Sequence, residues 1–271
     1  MSSKTKPPTR MYAKIRVADE GDGVRRVTLF NPERRNAIGP QMVNELLHAL
    51  DDAHADEDIR VVVLDGSREG KAFCAGGDFA QMSGGAADGP ALPHKGDYAD
   101  LLLAMTRTEK PIVARVNGPA MGGGLGLVAA STFAVADREA SLGTPEINVG
   151  LFPMMIMAVL ARVVPRRKLL EMMLLGKKMS GEEALAIGLV SRAVPAAELD
   201  AAVLEITSEI AKKSPLTVSL GLRAFAAQDD LDLEKALPLL RDRLAECLGT
   251  EDAREGLMAF LEKRTPIWKG R

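Results

Sequence analysis

The sequence predicts an α/β protein with parallel strand pairing, followed by an all-helical C-terminal region. Three observations carry that expectation. Up to about residue 195, short β-branched runs alternate with stretches of helical period. The connections between them are rich in Gly and Pro. Beyond residue 195 only helical periodicity remains.

Residues 1–10 include Pro7 and Pro8 and no apolar period, and read as a disordered tail. Residues 12–17 and 24–30 are strands flanking Gly21-Asp22-Gly23, a hairpin signature. Gly39-Pro40 opens a helix, since Pro is tolerated in a first turn whose N–H groups have no intrahelical partner. Val43, Leu46, Leu47 and Leu50 give that helix one apolar stripe. Residues 59–64 read as a buried strand. The unit recurs as a helix over 98–105, a strand over 112–116, a glycine-rich turn and a small-residue helix through Ala130. Helices follow over 199–211, 215–226, 231–248 and 250–263, with Ser214-Pro215 and Thr250-Glu251-Asp252 as start signals. The expected division is an α/β core over 11–195 and a helical region over 196–271. Residues 83–96 hold four Gly and two Pro without any period, and read as a mobile loop. That loop is either a tolerated insertion or a lid beside Gly76-Gly77.

Composition excludes several function classes. With 35 basic and 37 acidic residues the net charge is −2, so no bulk field draws in nucleic acid or an anionic membrane. Two cysteines, Cys74 and Cys247, make no disulfide framework. His48 and His54 sit six apart on a helix, the wrong spacing for a shared metal, and no metal, nicotinamide or flavin is expected. The longest apolar run, 151–161, is broken by Pro153 and too short to span a bilayer. The first ten residues lack the apolar core of a secretory signal, so a cytoplasmic protein is expected.

Motifs narrow the chemistry further. Gly122-Gly123-Gly124-Leu125-Gly126 does not fit a dinucleotide fingerprint, and neither a P-loop nor a nucleophile elbow is present. Two glycine-bearing turns remain. One is Lys71-Ala72-Phe73-Cys74-Ala75-Gly76-Gly77-Asp78-Phe79, and the other is Asn117-Gly118-Pro119-Ala120-Met121-Gly122-Gly123-Gly124. Each follows a strand, and glycines let backbone approach a ligand closely. Together they either aim two amides at one oxygen or are simply tight packing turns. One donor of such an oxyanion hole is worth roughly 3–4 kcal/mol of barrier.

These turns, with Gly143-Thr144-Pro145-Glu146-Ile147-Asn148-Val149-Gly150, resemble the enoyl-CoA hydratase/isomerase (crotonase) family. Asn31-Pro32-Glu33-Arg34-Arg35-Asn36-Ala37 and Phe260-Leu261-Glu262-Lys263-Arg264-Thr265-Pro266 are similar to it as well, so the resemblance runs in order over nearly the whole chain. It implies a crotonase-like spiral of ββα units with a C-terminal helical trimerisation region, assembled as a homotrimer or a dimer of trimers. It implies that the amides of Gly77 and Gly123 hold the thioester oxygen of an acyl-CoA, with coenzyme A as part of the substrate and no separate cofactor. Ala37, Ala75, Gly77, Asp78, Phe79, Ala80 and Gly122 match the stretches that border the substrate. Arg34 and Arg35 lie in a loop beside CoA, where a guanidinium pairs with phosphate or is merely solvated. Phe260 and Lys263 match positions that reach CoA on a neighbouring subunit, or else serve helix packing and solvation. Met121, Gly126, Met154 and Met155 match the acyl pocket.

The reaction is where the chain departs from the hydratase pattern. Hydratases of the family place two glutamates over the enoyl group, one to hold and deprotonate water and one to supply a proton. Glu146 matches the second, whereas the first position holds Gly126. Met154 stands where dienoyl-CoA isomerases carry an acid. Apolar neighbours such as Phe152, Met154, Met155 and Met157 are expected to raise the Glu146 pKa. One carboxylate suffices to move a proton from C2 to C4, so Δ3-Δ2 enoyl-CoA isomerisation is the expectation. Hydration by Glu146, alone or with Asp97 or Asp100, is an alternative that a 3-hydroxyacyl-CoA product would reveal. Decarboxylation of a malonyl-type thioester needs the oxyanion hole more than a base. A non-catalytic acyl-CoA-binding subunit would bind thioesters and convert none.

Overall fold

The computed structural model describes residues 10–82 and 92–271. The hairpin forms as expected: β1 (Ile15–Gly21) pairs antiparallel with β2 (Val24–Leu29) across Asp22-Gly23. Strand β1 starts at Ile15 rather than at the expected Tyr12. The N–H groups of Ala13 and Lys14 instead donate to the Glu45 carboxylate, at 3.1 and 2.8 Å. Glu45 lies on α1 (Pro40–Ala55), whose first turn carries Pro40. Arg10 is no part of a loose tail, because its guanidinium grips Asp52 of α1 at 2.7 Å. The rest of the expected tail, 1–9, lies outside the described residues.

Strand β3 (Val61–Gly66) begins two residues after the expected start. Ile59 and Arg60 close the preceding turn, donating to the carbonyls of Asp56 and Gly23. The short helix α2 (Phe79–Met82) follows, then α3 (Tyr98–Thr106), β4 (Ile112–Val116), β5 (Ala120–Met121) and α4 (Gly123–Ala130). Of the expected loop, 83–91 lie outside the described residues. Leu92, Pro93 and Lys95 are pinned to α1, where Asn44 bonds the backbone of all three and His48 lies 2.8 Å from the Pro93 carbonyl.

After α4 come β6 (Phe133–Asp137), β7 (Leu142–Gly143), α5 (Met154–Val163), α6 (Arg166–Leu175), β8 (Lys178–Met179), α7 (Gly181–Ala186) and β9 (Arg192–Val194). The main sheet runs β1-β2-β3-β4-β6-β9, parallel from β2 onward. A second, small sheet pairs β5, β7 and β8. One face of the main sheet buries Leu29, Val62, Leu64 and Ala114 against α1, α3 and α4. The other buries Val61, Val63, Val113 and Val135 against Leu199 and Val203.

Those last two residues belong to α8 (Leu199–Ala211), the first of four helices that end the chain with α9 (Pro215–Gln228), α10 (Leu233–Leu248) and α11 (Glu251–Glu262). The expected division at 195/196 falls between β9 and α8, and α8 packs on the sheet. Helices α9, α10 and α11 pack on one another. Asp252, almost wholly buried, ties the chain end back by accepting from Ser214, Lys269 and Gly270. Among the described residues, no helix is long and apolar enough to cross a membrane, and no cluster of three metal-ligating side chains occurs.

Candidate active site

The two glycine turns leave the carboxyl ends of β3 and β4 and run side by side. Cys74 and Ala120 form a parallel bridge, with Cys74 N–H donating to the Pro119 carbonyl at 3.1 Å and Met121 N–H to the Cys74 carbonyl at 2.9 Å. Beyond the bridge the two turns stay close: a Cβ on Gly76 would lie 3.4 Å from the Met121 carbonyl oxygen, and one on Gly123 3.1 Å from the Ile38 side chain. Gly124 admits this approach: a Cβ there would lie 2.6 Å from the Cys74 carbonyl oxygen. Gly77 is held by Ile38, which donates to the Gly76 carbonyl and accepts from Asp78 N–H, both at 2.8 Å. Those bonds use the peptides on either side and leave the Gly77 N–H without a protein acceptor among the described residues. Gly123 is the first residue of α4, so its N–H has no intrahelical partner. Two amides, on turns that both lie against Ile38, are thus free to donate to a ligand oxygen.

Glu146 sits beside them on a 3-10 turn, Pro145–Val149, closed by Gly150 in the left-handed region. Gly122 joins the two parts by donating to the Gly143 carbonyl at 3.0 Å. Its φ of 49° with ψ of −120° excludes other residues, and a Cβ there would lie 2.5 Å from Glu146 Oε1. Glu146 Oε2 is buried and has no hydrogen-bond partner among the described residues. Burial raises its pKa above the ordinary glutamate value, as a carboxylate removed from water must be. A desolvated carboxylate without a partner can take up a proton, and free backbone amides can hold an oxygen that gains negative charge.

Position 126 is closed. A Cβ on Gly126 would press on both Ile156 and the Tyr98 hydroxyl. Tyr98 O–H donates to the Gly123 carbonyl at 2.5 Å, and burial, with Cys74 and Glu146 nearby, pushes the phenol pKa further above its ordinary value. Sequence reasoning used Tyr98 only as a helix start and did not name Ile156. Asp97 and Asp100, the candidate second acids, are exposed and form a capping box for α3. Asp97 accepts from Ala99 and Asp100 N–H, and Asp100 accepts from Asp97 N–H. Their carboxylates serve the helix start. Met121 is buried, whereas Met154 and Met155 stand exposed on the first turn of α5. In one chain the α5 side chain that faces Gly126 is Ile156.

The expected CoA-bordering stretch also divides. Arg34 and Arg35 are exposed at the end of a 3-10 turn. Asn36, unflagged by sequence reasoning, is fully buried in the left-handed region and bonds the carbonyls of Ser67 and Ala72. It welds the 31–37 loop to the end of β3. Ala37 is buried, and Ala75 donates to the Arg35 carbonyl. Asp78 turns inward, its carboxylate accepting from Asn31 and from the Gln81 N–H. Phe79 and Ala80 are exposed. Phe260 and Lys263 are exposed at the end of α11, whose packing is with α9 and α10. One chain therefore brings Gly77, Gly122, Gly123, Gly126 and Glu146 together and holds Phe260 and Lys263 on a separate helical surface.

Comparison with known proteins agrees with this fold. Residues 19–271 match the family model described as enoyl-CoA hydratase/isomerase. The chain is 36% identical over 251 residues to enoyl-CoA hydratase domain-containing protein 3, mitochondrial, of Homo sapiens, covering 91% of this chain and 81% of that one. The crystal structure of an enoyl-CoA hydratase from Mycobacterium smegmatis matches with a TM-score of 0.86 at 35% identity, covering 94% of this chain and 99% of that one. One from Bacillus anthracis matches with a TM-score of 0.86 at 29% identity, covering 96% and 100%. The fold implied by the sequence motifs is the fold observed.

Proposed function

The chain belongs to the enoyl-CoA hydratase/isomerase family, and from that premise we propose that it is a one-carboxylate Δ3-Δ2 enoyl-CoA isomerase. The amides of Gly77 and Gly123 hold the thioester oxygen of a 3-enoyl-CoA. Glu146 Oε2 takes a proton from C2, the C2–H electron pair becomes an enolate held by the two amides, and the C3–C4 double bond is conjugated to it. Glu146 then returns the same proton to C4. The new double bond lies between C2 and C3, and the carboxylate is restored. The reaction moves one proton and needs neither an electron acceptor nor a metal.

One observation carries this reading: Glu146 is unpartnered, with a pKa that burial raises, and position 126, where a second carboxylate would stand, is bare and closed by Tyr98 and Ile156. Hydration gains from a second carboxylate to steer water, and none is available there. Hydration of a 2-enoyl-CoA by Glu146 alone is the second reading. What favours it is the hydratase name borne by the relatives.

Arg34 and Arg35 are proposed to pair with CoA phosphates, and the 77–80 backbone to border the substrate. Phe260 and Lys263 reach CoA from a neighbouring copy in a homotrimer or dimer of trimers. Support for assembly comes from the exposed apolar side chains of α10 and α11, among them Leu237, Leu244, Leu257 and Leu261.

Glu146→Gln is the test. The variant is expected to lose isomerase turnover by about 10²–10⁴-fold, the usual worth of a positioned general base, while keeping thioester affinity. Retention of most of the turnover contradicts the assignment.

A further inference from the structure

We propose that Tyr98 is a positioning residue of the oxyanion hole, holding Gly123 in place through the Gly123 carbonyl. The inference rests on the reading of Gly77 and Gly123 as the thioester-binding amides. Its physical basis is the freedom of the loop itself. Gly122, Gly123 and Gly124 are consecutive, and glycine backbone has no side chain to limit its dihedrals. An amide worth using as a fixed donor in catalysis must be held by something outside that run.

The structure supplies three anchors, one of them within α4, where Gly126 N–H donates to the Gly122 carbonyl at 3.1 Å. Upstream, Gly122 N–H donates to the Gly143 carbonyl at 3.0 Å. Downstream, the Tyr98 hydroxyl donates to the Gly123 carbonyl at 2.5 Å. Tyr98 is itself fixed, since it is the first residue of α3 and directly follows the Asp97 capping box. Its hydroxyl also occupies the space into which a side chain at position 126 would grow. The same phenol therefore orients one catalytic amide and keeps that side of the pocket closed. Burial, with Cys74 and Glu146 nearby, pushes its pKa further above the ordinary phenol value.

A packing role alone would need only the ring, so Tyr98→Phe separates the two. The probe is cinnamoyl-CoA, whose absorbance band moves to longer wavelength when two aligned amides polarise its carbonyl. Wild type is expected to bind it with such a shift. Tyr98→Phe is expected to bind it within about threefold of wild type yet show a smaller shift, with kcat on 3-enoyl-CoA reduced about 10- to 100-fold and KM little changed. An undiminished shift and kcat in Tyr98→Phe overturns the positioning role and leaves the isomerase reading intact. A wild-type protein that binds cinnamoyl-CoA without any shift overturns the oxyanion-hole reading, and this inference with it.

Discussion

Glu146 combines what catalysis asks for with what folding resists. Its carboxylate is partly removed from water, and its Oε2 receives no hydrogen bond within the protein among the described residues. The folded state therefore binds its proton more tightly than the unfolded chain does. Linkage then fixes the sign: the contribution of this group to stability is fully present below its unfolded pKa and is lost as pH rises through the raised folded value. Two consequences follow for measurement. The acid limb of kcat/KM should have its midpoint above the ordinary glutamate value of 4.5. Glu146→Gln, inactive, should melt at or above the wild-type temperature at pH 7, with the difference shrinking toward acid. A midpoint at or below the ordinary value, or a variant less stable at neutral pH, contradicts this. Glu146 and the two glycines were legible in sequence because their motifs specify residue type and order. Tyr98 was not, since its partner is a backbone carbonyl 25 residues away. Ile156 was hidden for another reason: residues 154–160 are apolar throughout, so nothing in the sequence sets the phase of α5.

At the scale of elements, length alone did not decide legibility, since α5 and α6, ten residues each, match no expected element. Helix α8 has the bounds the periodicity predicts, and α10 differs only in starting at Leu233, after the N-cap Asp232. Strands β5, β7 and β8 span two residues each, too short to carry a period, and exist through pairing with one another and, for β5, with Cys74. Yet β5 and β7 lead directly into Gly122 and Glu146. On α10, Leu233, Leu237, Leu244 and Leu248 are all more than half exposed, as are Leu257, Phe260 and Leu261 on α11. Helical spacing gathers such residues on a stripe, which a lone chain would leave facing water. Sedimentation should therefore show a particle of three or six copies of the 29.0 kDa chain. Charging the stripe with Leu257→Asp and Leu261→Asp should release single chains with weakened CoA affinity. A wild-type protein that sediments as one chain contradicts the assembly.

The whole molecule explains why the site is where it is. The parallel strands β3 and β4 end side by side, and the glycine turns that leave them are pressed together by the Cys74–Ala120 bridge. The small sheet then returns the chain with Glu146 to the same place. Rigid strands fix the turns, and the turns present backbone rather than side chains, which suits a thioester oxygen common to every acyl-CoA. Under the proposed function, the chemistry beyond that point rests on one carboxylate, Glu146.

The direct test of that claim is to incubate the protein with 3-enoyl-CoA in water and follow both mass and the absorbance of the conjugated thioester. The one-carboxylate account predicts a conjugated product of unchanged mass. A product heavier by one water would mean that Glu146 alone supports hydration, and would contradict it.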